Sequence, residues 1–157
     1  MGMTVTLHRR GRVGGAAVKV RKDIALTGSE LTATYALEAE SPVEAVFGVE
    51  FNLASLSVSS PGAVVSGPEA GKTGALGDRT EARGTRVSVS DQWYGLEVEI
   101  VAPRGADFWM FPIHSVSQSE SGFELSYQST VVLPHWKVRL EPGKVWKVSL
   151  THGARKR

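Results

Sequence analysis

The fold class is decided by the stretch Phe47-Gly48-Val49-Glu50-Phe51-Asn52-Leu53, in which large apolar side chains alternate with polar or small ones. In an extended strand successive side chains point to opposite faces, so a period of two places the four large apolar residues together. Glu50 and Asn52 share the other face, where a carboxylate beside an amide can bind a polyol. We therefore predict a half-buried β-strand here.

The same alternation recurs along the chain. Further strands are predicted at residues 5–7, 18–20, 31–37, 87–89, 96–101, 123–132, 138–140 and 145–150. Turn-forming residues separate them, as in Pro103-Arg104-Gly105 and Glu141-Pro142-Gly143-Lys144. No window of a dozen residues carries an apolar stripe at helical spacing. The pattern predicts an all-β protein, an antiparallel β-sandwich of two sheets.

Residues 57–84 break this pattern, because they are rich in Gly, Ser, Ala and Pro and poor in large apolar residues. We predict a long flexible loop there, with one short strand at residues 63–65. The strands on either side need each other to close a core, so residues 1–157 are predicted to form a single domain.

The composition narrows the functional class. With 41% hydrophobic and 22% charged residues, the chain has the make-up of an ordinary globular domain. It has no cysteine, no apolar run near 18 residues and no leader-like start, which predicts a cytoplasmic protein without a membrane partner. The net charge is only +2, and no aromatic residues interleave with Arg9, Arg10 and Arg12. Nucleic acid is therefore not a predicted partner.

Patterns that resemble cofactor or catalytic sites fail on their spacing. The stretch from Gly67 to Thr73 has three residues, where a phosphate-binding loop needs four, between its first glycine and Gly-Lys-Thr. The four histidines lack the short spacings of a metal site, and no Gly-x-Ser-x-Gly motif is present. On a strand, Glu120 and Glu124 would lie about 13 Å apart; only on a helix would their carboxylates be close enough to act on the same glycosidic bond. We predict no cofactor, no metal and no catalytic pair.

The stretch from Ala106 to Trp136 combines aromatic rings with amide, carboxylate and hydroxyl groups. Such a mixture suits a carbohydrate, since rings stack on sugars while polar groups bond their hydroxyls. Trp109 and Trp136 are predicted sugar platforms, as is Trp93 at a turn, whereas Trp146 is in phase with the core. The predicted packing residues are Phe108, Phe111, Ile113, Phe123 and Tyr127.

This stretch, from Phe108 through Glu124 and on to Tyr127, Gln128 and Trp136, resembles the C-terminal β-sandwich domain of family-57 glycoside hydrolases, the α-amylase and 4-α-glucanotransferase group. The strand containing Glu50 and Asn52 is similar to that domain's early Glu-x-Asn strand. The resemblance implies a galactose-mutarotase-like supersandwich and a role in α-1,4-glucan metabolism.

The resemblance also implies that the catalytic groups lie on a preceding barrel, so we assign no catalytic residue to this chain. It implies that the matching positions contact glycan or the catalytic barrel domain of the parent enzyme. These are Glu50, Asn52, Trp109, Gln118, Glu120, Gln128, His135 and Trp136.

Three functions remain open. The first is a carbohydrate-binding accessory domain that holds α-glucan or maltooligosaccharide on its aromatic residues. The second is a structural domain that docks on the parent barrel and completes its cleft. The third is a small mutarotase-like enzyme, which needs a histidine acid beside a carboxylate base, His114 or His135 with Glu50 or Glu120.

Overall fold

The computed structural model describes residues 3–54, 63–66, 73–91, 93–119 and 122–156, and these ranges contain only strands and turns. No stretch within them forms a helix that could cross a membrane. All strand pairings are antiparallel, which confirms the predicted all-β class. The strands are β1 (Met3–Val13), β2 (Ala16–Thr27), β3 (Glu30–Ala39), β4 (Val43–Gly48), β5 (Phe51–Leu53), β6 (Ala63–Ser66), β7 (Thr73–Ala75), β8 (Thr80–Asp91), β9 (Leu96–Ser119), β10 (Gly122–Leu140) and β11 (Trp146–Lys156).

The strands form two layers that share β8 and β9. The first layer has the order β1-β2-β3-β11, followed by residues 96–101 of β9, residues 86–91 of β8, then β6 and β7. In the second layer β4 and β5 lie beside β10, which pairs with residues 107–119 of β9. Residues 80–84 of β8 complete this layer against residues 106–110 of β9. One hydrogen-bonded ladder therefore folds back on itself to make the sandwich.

The fold-back is a corner in β8 and β9. The register shifts between Gly84 and Arg86, opposite residues 101–106 of β9. Gly105 has a φ of 77°, a left-handed conformation that glycine adopts without strain. The indole Nε1 of Trp136 donates a 2.6 Å hydrogen bond to the Gly105 carbonyl and so ties β10 to the corner. Pro103-Arg104-Gly105, predicted as a turn between strands, is instead a bend within one strand.

Aromatic rings join the two layers. Phe47 of β4 lies 5.3 Å from Tyr35 of β3 and 5.5 Å from Trp146 of β11, measured between ring centroids. Trp136 stacks on Phe47 at 6.3 Å and lies 6.0 Å from Trp146. Trp146 is thus a core residue, as predicted. Buried side chains of both layers surround this cluster, among them Phe108, Met110, Val132, Leu140, Val148 and Leu150.

The strand predicted over residues 47–53 is interrupted. β4 and β5 keep the same register against β10, but the ladder breaks where Val49 faces Pro134. Val49 still donates its N–H to the Pro134 carbonyl at 3.0 Å, whereas proline has no N–H to return. The predicted faces are correct: Glu50 and Asn52 are exposed, opposite the core-facing Phe47 and Phe51.

The loop predicted over residues 57–84 contains more strand than expected. β6 covers the short strand predicted at residues 63–65, β7 follows at Thr73–Ala75, and β8 begins at Thr80. Leu76 is fully buried, and its carbonyl accepts a 2.8 Å hydrogen bond from the Thr130 hydroxyl. Residues 57–62 and 67–72 of the predicted loop lie outside the described ranges. The Glu141–Lys144 turn is confirmed by a 3.1 Å bond from the Lys144 N–H to the Glu141 carbonyl.

Candidate functional site on the outer face of the second layer

The second layer turns one face away from the core, and several predicted site residues lie on it. Residues directly opposite each other on neighbouring strands share a face. Three such rows cross the second layer: the first runs over β8, β9, β10 and β4, the second over β8, β9 and β10, and the third over β9, β10 and β5. They are Arg83-Asp107-His135-Gly48, Glu81-Trp109-Leu133, and Phe111-Val131-Asn52. We call the surface formed by these rows the outer face.

Trp109 is the centre of the outer face. It is 44% exposed, and its ring centroid lies 4.2 Å from that of His135, with the planes tilted by 42°. His135 is only 8% exposed and forms the floor beneath the indole. Because Phe108 and Met110 on either side of Trp109 are buried, the strand alternation points the indole outwards, as predicted.

Gly48 creates the space for this ring pair. A Cβ at Gly48 would lie 2.9 Å from Leu133 Cδ2 and 3.6 Å from His135 Cβ. A larger residue would therefore push Leu133 and His135 outwards, towards Trp109. Gly48 was not predicted as a site residue, because its role depends on the close approach of two strands, which a sequence pattern does not reveal.

Two depressions lie beside the Trp109 indole. One, of about 340 Å³, is lined by Glu81, Ala82, Arg83, Asp107, Phe108, Trp109 and His135. The other, of about 650 Å³, is lined by Arg79, Thr80, Glu81, Trp109, Met110 and Phe111. Trp109 and Glu81 belong to both depressions. The indole therefore stands as a wall between two open spaces.

Charged groups of both signs edge these depressions. The Arg83 guanidinium lies 3.8 Å from the Asp107 carboxylate, and both side chains are well exposed. Exposed ion pairs of this kind add little stability, so their groups remain available to a ligand. Glu81 and Arg83 were missed from the sequence because they fell inside the predicted loop.

A second polar group lies further along the outer face. Asn52 donates a 2.7 Å hydrogen bond to the Glu50 carboxylate, and the Ser129 hydroxyl donates a 3.4 Å bond to the Asn52 carbonyl. Glu50 and Asn52 thus hold each other in place on the surface. Gln128 is turned to the β9–β10 hairpin, where it donates to the Ser115 hydroxyl at 2.9 Å.

The other predicted residues do not join the outer face. Trp93 is exposed in the β8–β9 turn, where the Asp91 carboxylate accepts hydrogen bonds from the backbone N–H groups of Trp93 and Tyr94. Trp136 belongs to the aromatic cluster between the layers, so the structure gives it a packing role instead of the predicted platform. Glu120 lies outside the described residues.

Gln118 lies on the end of the β9–β10 hairpin, which we call the arm: residues 114–119 and 122–127. Val116, Phe123 and Leu125 are 65%, 76% and 71% exposed. They share one face, because Val116 is opposite Leu125 and Gln118 is opposite Phe123. The prediction that Phe123 packs in the interior is wrong, because no second layer in the described structure reaches this far.

Of the acid–base candidates in the enzyme hypothesis, the structure describes His114, His135 and Glu50, and no hydrogen bond joins either histidine to Glu50. Nδ1 of His135 lies 3.4 Å from the Leu133 carbonyl, its hydrogen-bond partner within the described ranges, and His114 faces the Tyr127 ring. Among the described residues no group of histidines and carboxylates is placed to hold a metal ion.

Solved structures with a similar fold define the fold class of the chain. The structure superposes on a candidate aldose 1-epimerase from Escherichia coli K12 with a TM-score of 0.64 at 11% identity, over 98% of this chain and 66% of that chain. Proteins described as galactose mutarotase-like also match. The chain is therefore a mutarotase-like β-sandwich, as the family resemblance implied.

The family follows from closer relatives. Residues 2–150 match the family model described as "Alpha-amylase/4-alpha-glucanotransferase, C-terminal". An α-amylase of Pyrococcus abyssi is 31% identical over 85% of this chain. The crystal structure of 4-α-glucanotransferase from Thermococcus litoralis matches 98% of it at 25% identity, with a TM-score of 0.68. The chain belongs to this family of C-terminal domains, and the resemblance to family-57 enzymes is confirmed. The chain covers 18% of the length of the P. abyssi amylase and 21% of the length of the T. litoralis glucanotransferase.

Proposed function

We propose that the chain is a non-catalytic accessory domain of an α-glucan-acting enzyme and binds α-1,4-glucan or maltooligosaccharide on its outer face. The observation that carries the proposal is the exposed Trp109 indole, supported by the buried His135 and bordered by two depressions. A pyranose ring offers an apolar C–H face to an indole and hydroxyl groups at its rim.

The polar residues around Trp109 fit this ligand. Glu81 and Asp107 can accept hydrogen bonds from sugar hydroxyls, whereas Arg79 and Arg83 can donate to them. Residues two apart on a strand are about 7 Å apart, so Asp107, Trp109 and Phe111 present a contact surface longer than one sugar ring. Glu50, between β4 and β5, and Asn52 of β5 extend the same face.

Affinity electrophoresis in amylose gels tests this function. A single shallow site predicts a Kd of roughly 0.1–1 mM, enough to retard the folded chain. Trp109→Ala is expected to abolish retardation while leaving the chain folded, because the indole is nearly half exposed. Trp93→Ala is the matched control, since it removes an equally large exposed indole from the β8–β9 turn. Unretarded migration of the unaltered chain, or loss of retardation in the Trp93 variant alone, contradicts a site at Trp109.

The catalytic groups of the parent enzyme would then lie outside this chain, on the barrel domain that the family-57 resemblance implies. The outer face supplies an exposed platform and surface charges, whereas glycoside hydrolysis needs a carboxyl pair enclosing the scissile bond. We therefore expect the 157-residue chain to bind α-glucan without cleaving it. Release of reducing sugar from amylose by the purified chain would contradict this assignment. The cytoplasm remains our predicted compartment.

A second candidate function, docking on the parent catalytic barrel, is favoured by the arm. Its exposed face carries Val116, Phe123 and Leu125, and an exposed apolar patch of this kind is typical of an interface. Phe123→Ser with Leu125→Ser is expected to weaken association with a separately produced barrel domain and to leave amylose retardation unchanged. Unchanged association would exclude the arm as the docking surface.

A further inference from the structure

The first layer is wider than the second layer that packs on it, so part of its core-facing side is not covered. Met3, Val5, Leu7 and Val13 of β1 lie on the same face as the core residues of β3, through the β1–β2 and β2–β3 registers. All four are exposed, as is Leu26 of β2. We call these five residues the overhang.

Burial falls strand by strand across this face. On β3, Ala33, Tyr35 and Leu37 are buried. Their β2 neighbours Ile24, Lys22 and Val20 are half-buried, and every residue of β1 is exposed, whereas Ala16 and Val18 at the other end of β2 are buried. The boundary lies at Tyr35, which contacts Phe47 of β4 on one side and carries the Lys22 ammonium 5.2 Å from its ring centroid. The cover therefore ends with β4.

The sequence of β1 is that of a strand with one packed face. Thr4, Thr6, His8, Arg10 and Arg12 occupy the opposite face, whereas Met3, Val5, Leu7 and Val13 share the core-facing side with Arg9 and Gly11. Such alternation is typical of an antiparallel strand with one side on a core and the other in water. An uncovered apolar sheet face of this extent marks a surface that a partner buries.

The edge of the second layer is open at the matching place. Within the described ranges, β4 and β5 hydrogen-bond to β10 on one side and to no strand on the other. Because β4 lies over β3 and β11, a strand added to the free edge of β4 would lie over β2 and β1. Addition of a strand to an open edge satisfies its backbone groups while burying alternate side chains.

We infer that the overhang is covered by one or more β-strands from a part of the parent polypeptide outside these 157 residues, added to the free edge of β4 and β5. Two observations favour this occupant over a second copy of the chain. The chain spans 18% of the length of the P. abyssi amylase. Nearly all of this chain matches 66% of the E. coli candidate aldose 1-epimerase chain, so about a third of that longer chain has no counterpart here. The inference is independent of glucan binding.

Thiol labelling tests the inference cleanly, since the chain has no cysteine of its own. Leu7→Cys places a thiol on the overhang, and His8→Cys places its matched control on the opposite face of the same strand. Maleimide labelling rates are compared between the 157-residue chain and the complete gene product, with any other cysteines changed to serine. In the shorter chain both thiols are expected to react rapidly.

In the complete gene product we expect Leu7→Cys to react at least about tenfold more slowly, and His8→Cys to keep its rate. Val5→Cys reports on the same face if the Leu7 variant fails to fold. Equal Leu7→Cys rates in the two proteins would overturn the inference, as would equal slowing of both thiols. A Leu7→Cys rate that falls with concentration in the shorter chain would assign the overhang to a second copy. A gene product no longer than these residues would also refute it.

Discussion

The β9–β10 hairpin consists of the arm and a base, residues 107–113 and 129–135. In both parts apolar residues recur at alternate positions, but these side chains are buried in the base and exposed in the arm. In the base, Phe108 and Val132 are completely buried. In the arm, Phe123 and Leu125 are mostly exposed although they also lie on one face of a regular antiparallel ladder. The difference is the facing layer: the base lies against the first layer, and the arm extends past it. Alternation specifies which side of a strand is apolar, and only the tertiary arrangement decides whether that side is covered.

The largest predicted effect is the difference in the free energy of unfolding between two phenylalanine truncations, one in the base and one in the arm. Phe108→Ala is expected to lower the free energy of unfolding by about 3–5 kcal/mol, because it leaves a cavity between the layers. Phe123→Ala should change it by less than about 0.5 kcal/mol, because the ring contacts mainly water. Urea denaturation followed by tryptophan fluorescence measures both. Similar losses for the two variants would show that the arm is covered in solution.

Replacement of Gly48 tests how tightly the outer face is packed. Gly48→Val is expected to cost about 1–3 kcal/mol, since its side chain would collide with Leu133 and His135. It should also weaken amylose retardation by moving the floor under Trp109. Gly11→Ala is the control, because a Cβ there meets no atom within 4 Å. If Gly48→Val keeps both the stability and the retardation of the unaltered chain, the packing argument fails.

Trp136→Phe separates the corner hydrogen bond from aromatic packing. The variant keeps a ring beside Phe47 but cannot donate to the Gly105 carbonyl, which predicts a loss of about 1 kcal/mol. Trp109→Phe, which loses no such bond, is expected to keep its stability. Glucan retardation should persist in Trp136→Phe. Loss of retardation with unchanged stability would return Trp136 to the glycan site.

The smallest predicted effect concerns the uncovered β1–β2 ribbon. The Thr6 hydroxyl donates a 2.7 Å hydrogen bond to the Asp23 carboxylate and, with Arg21 nearby, holds the pKa of Asp23 below its usual value. A lowered pKa stabilises the fold above the usual aspartate pKa, and this contribution is lost as the pH falls through the folded value. Thr6→Val should raise the pKa of Asp23, which an NMR titration of its carboxyl carbon measures. An unchanged pKa would show that the Thr6 hydrogen bond does not lower it.

The sequence was sufficient for features that depend on period-two alternation. It predicted the strand class, the shared face of Glu50 and Asn52, the outward direction of Trp109 and the core position of Trp146. Each follows from which side of its own strand a residue occupies, and this is a local property.

Features that depend on contacts between distant segments were missed. The strand is interrupted at Val49 because Pro134 lies opposite it on β10. Trp136 is held in the interior partly by its hydrogen bond to Gly105 at the corner. Arg83 and Glu81 joined the outer face only because β8 begins earlier than its Gly-rich surroundings indicated. The exposure of Phe123 depends on a layer that ends elsewhere, which the sequence of its own strand does not encode.

The irregularity at Gln128 has a consequence for the phase of the apolar pattern. The β9–β10 register shifts by one residue between Tyr127 and Ser129, so Gln128 has no opposite partner. Before this residue the odd-numbered positions of β10, such as Phe123, face the core side; beyond it the even-numbered ones, such as Val132, do so. The bulge at Gln128 absorbs this change of phase, so one apolar surface stays continuous from arm to base. Deletion of Gln128 would remove the bulge and leave Leu125 opposite Val116 and Phe123 opposite Gln118, so the apolar pattern of β10 would then alternate without interruption.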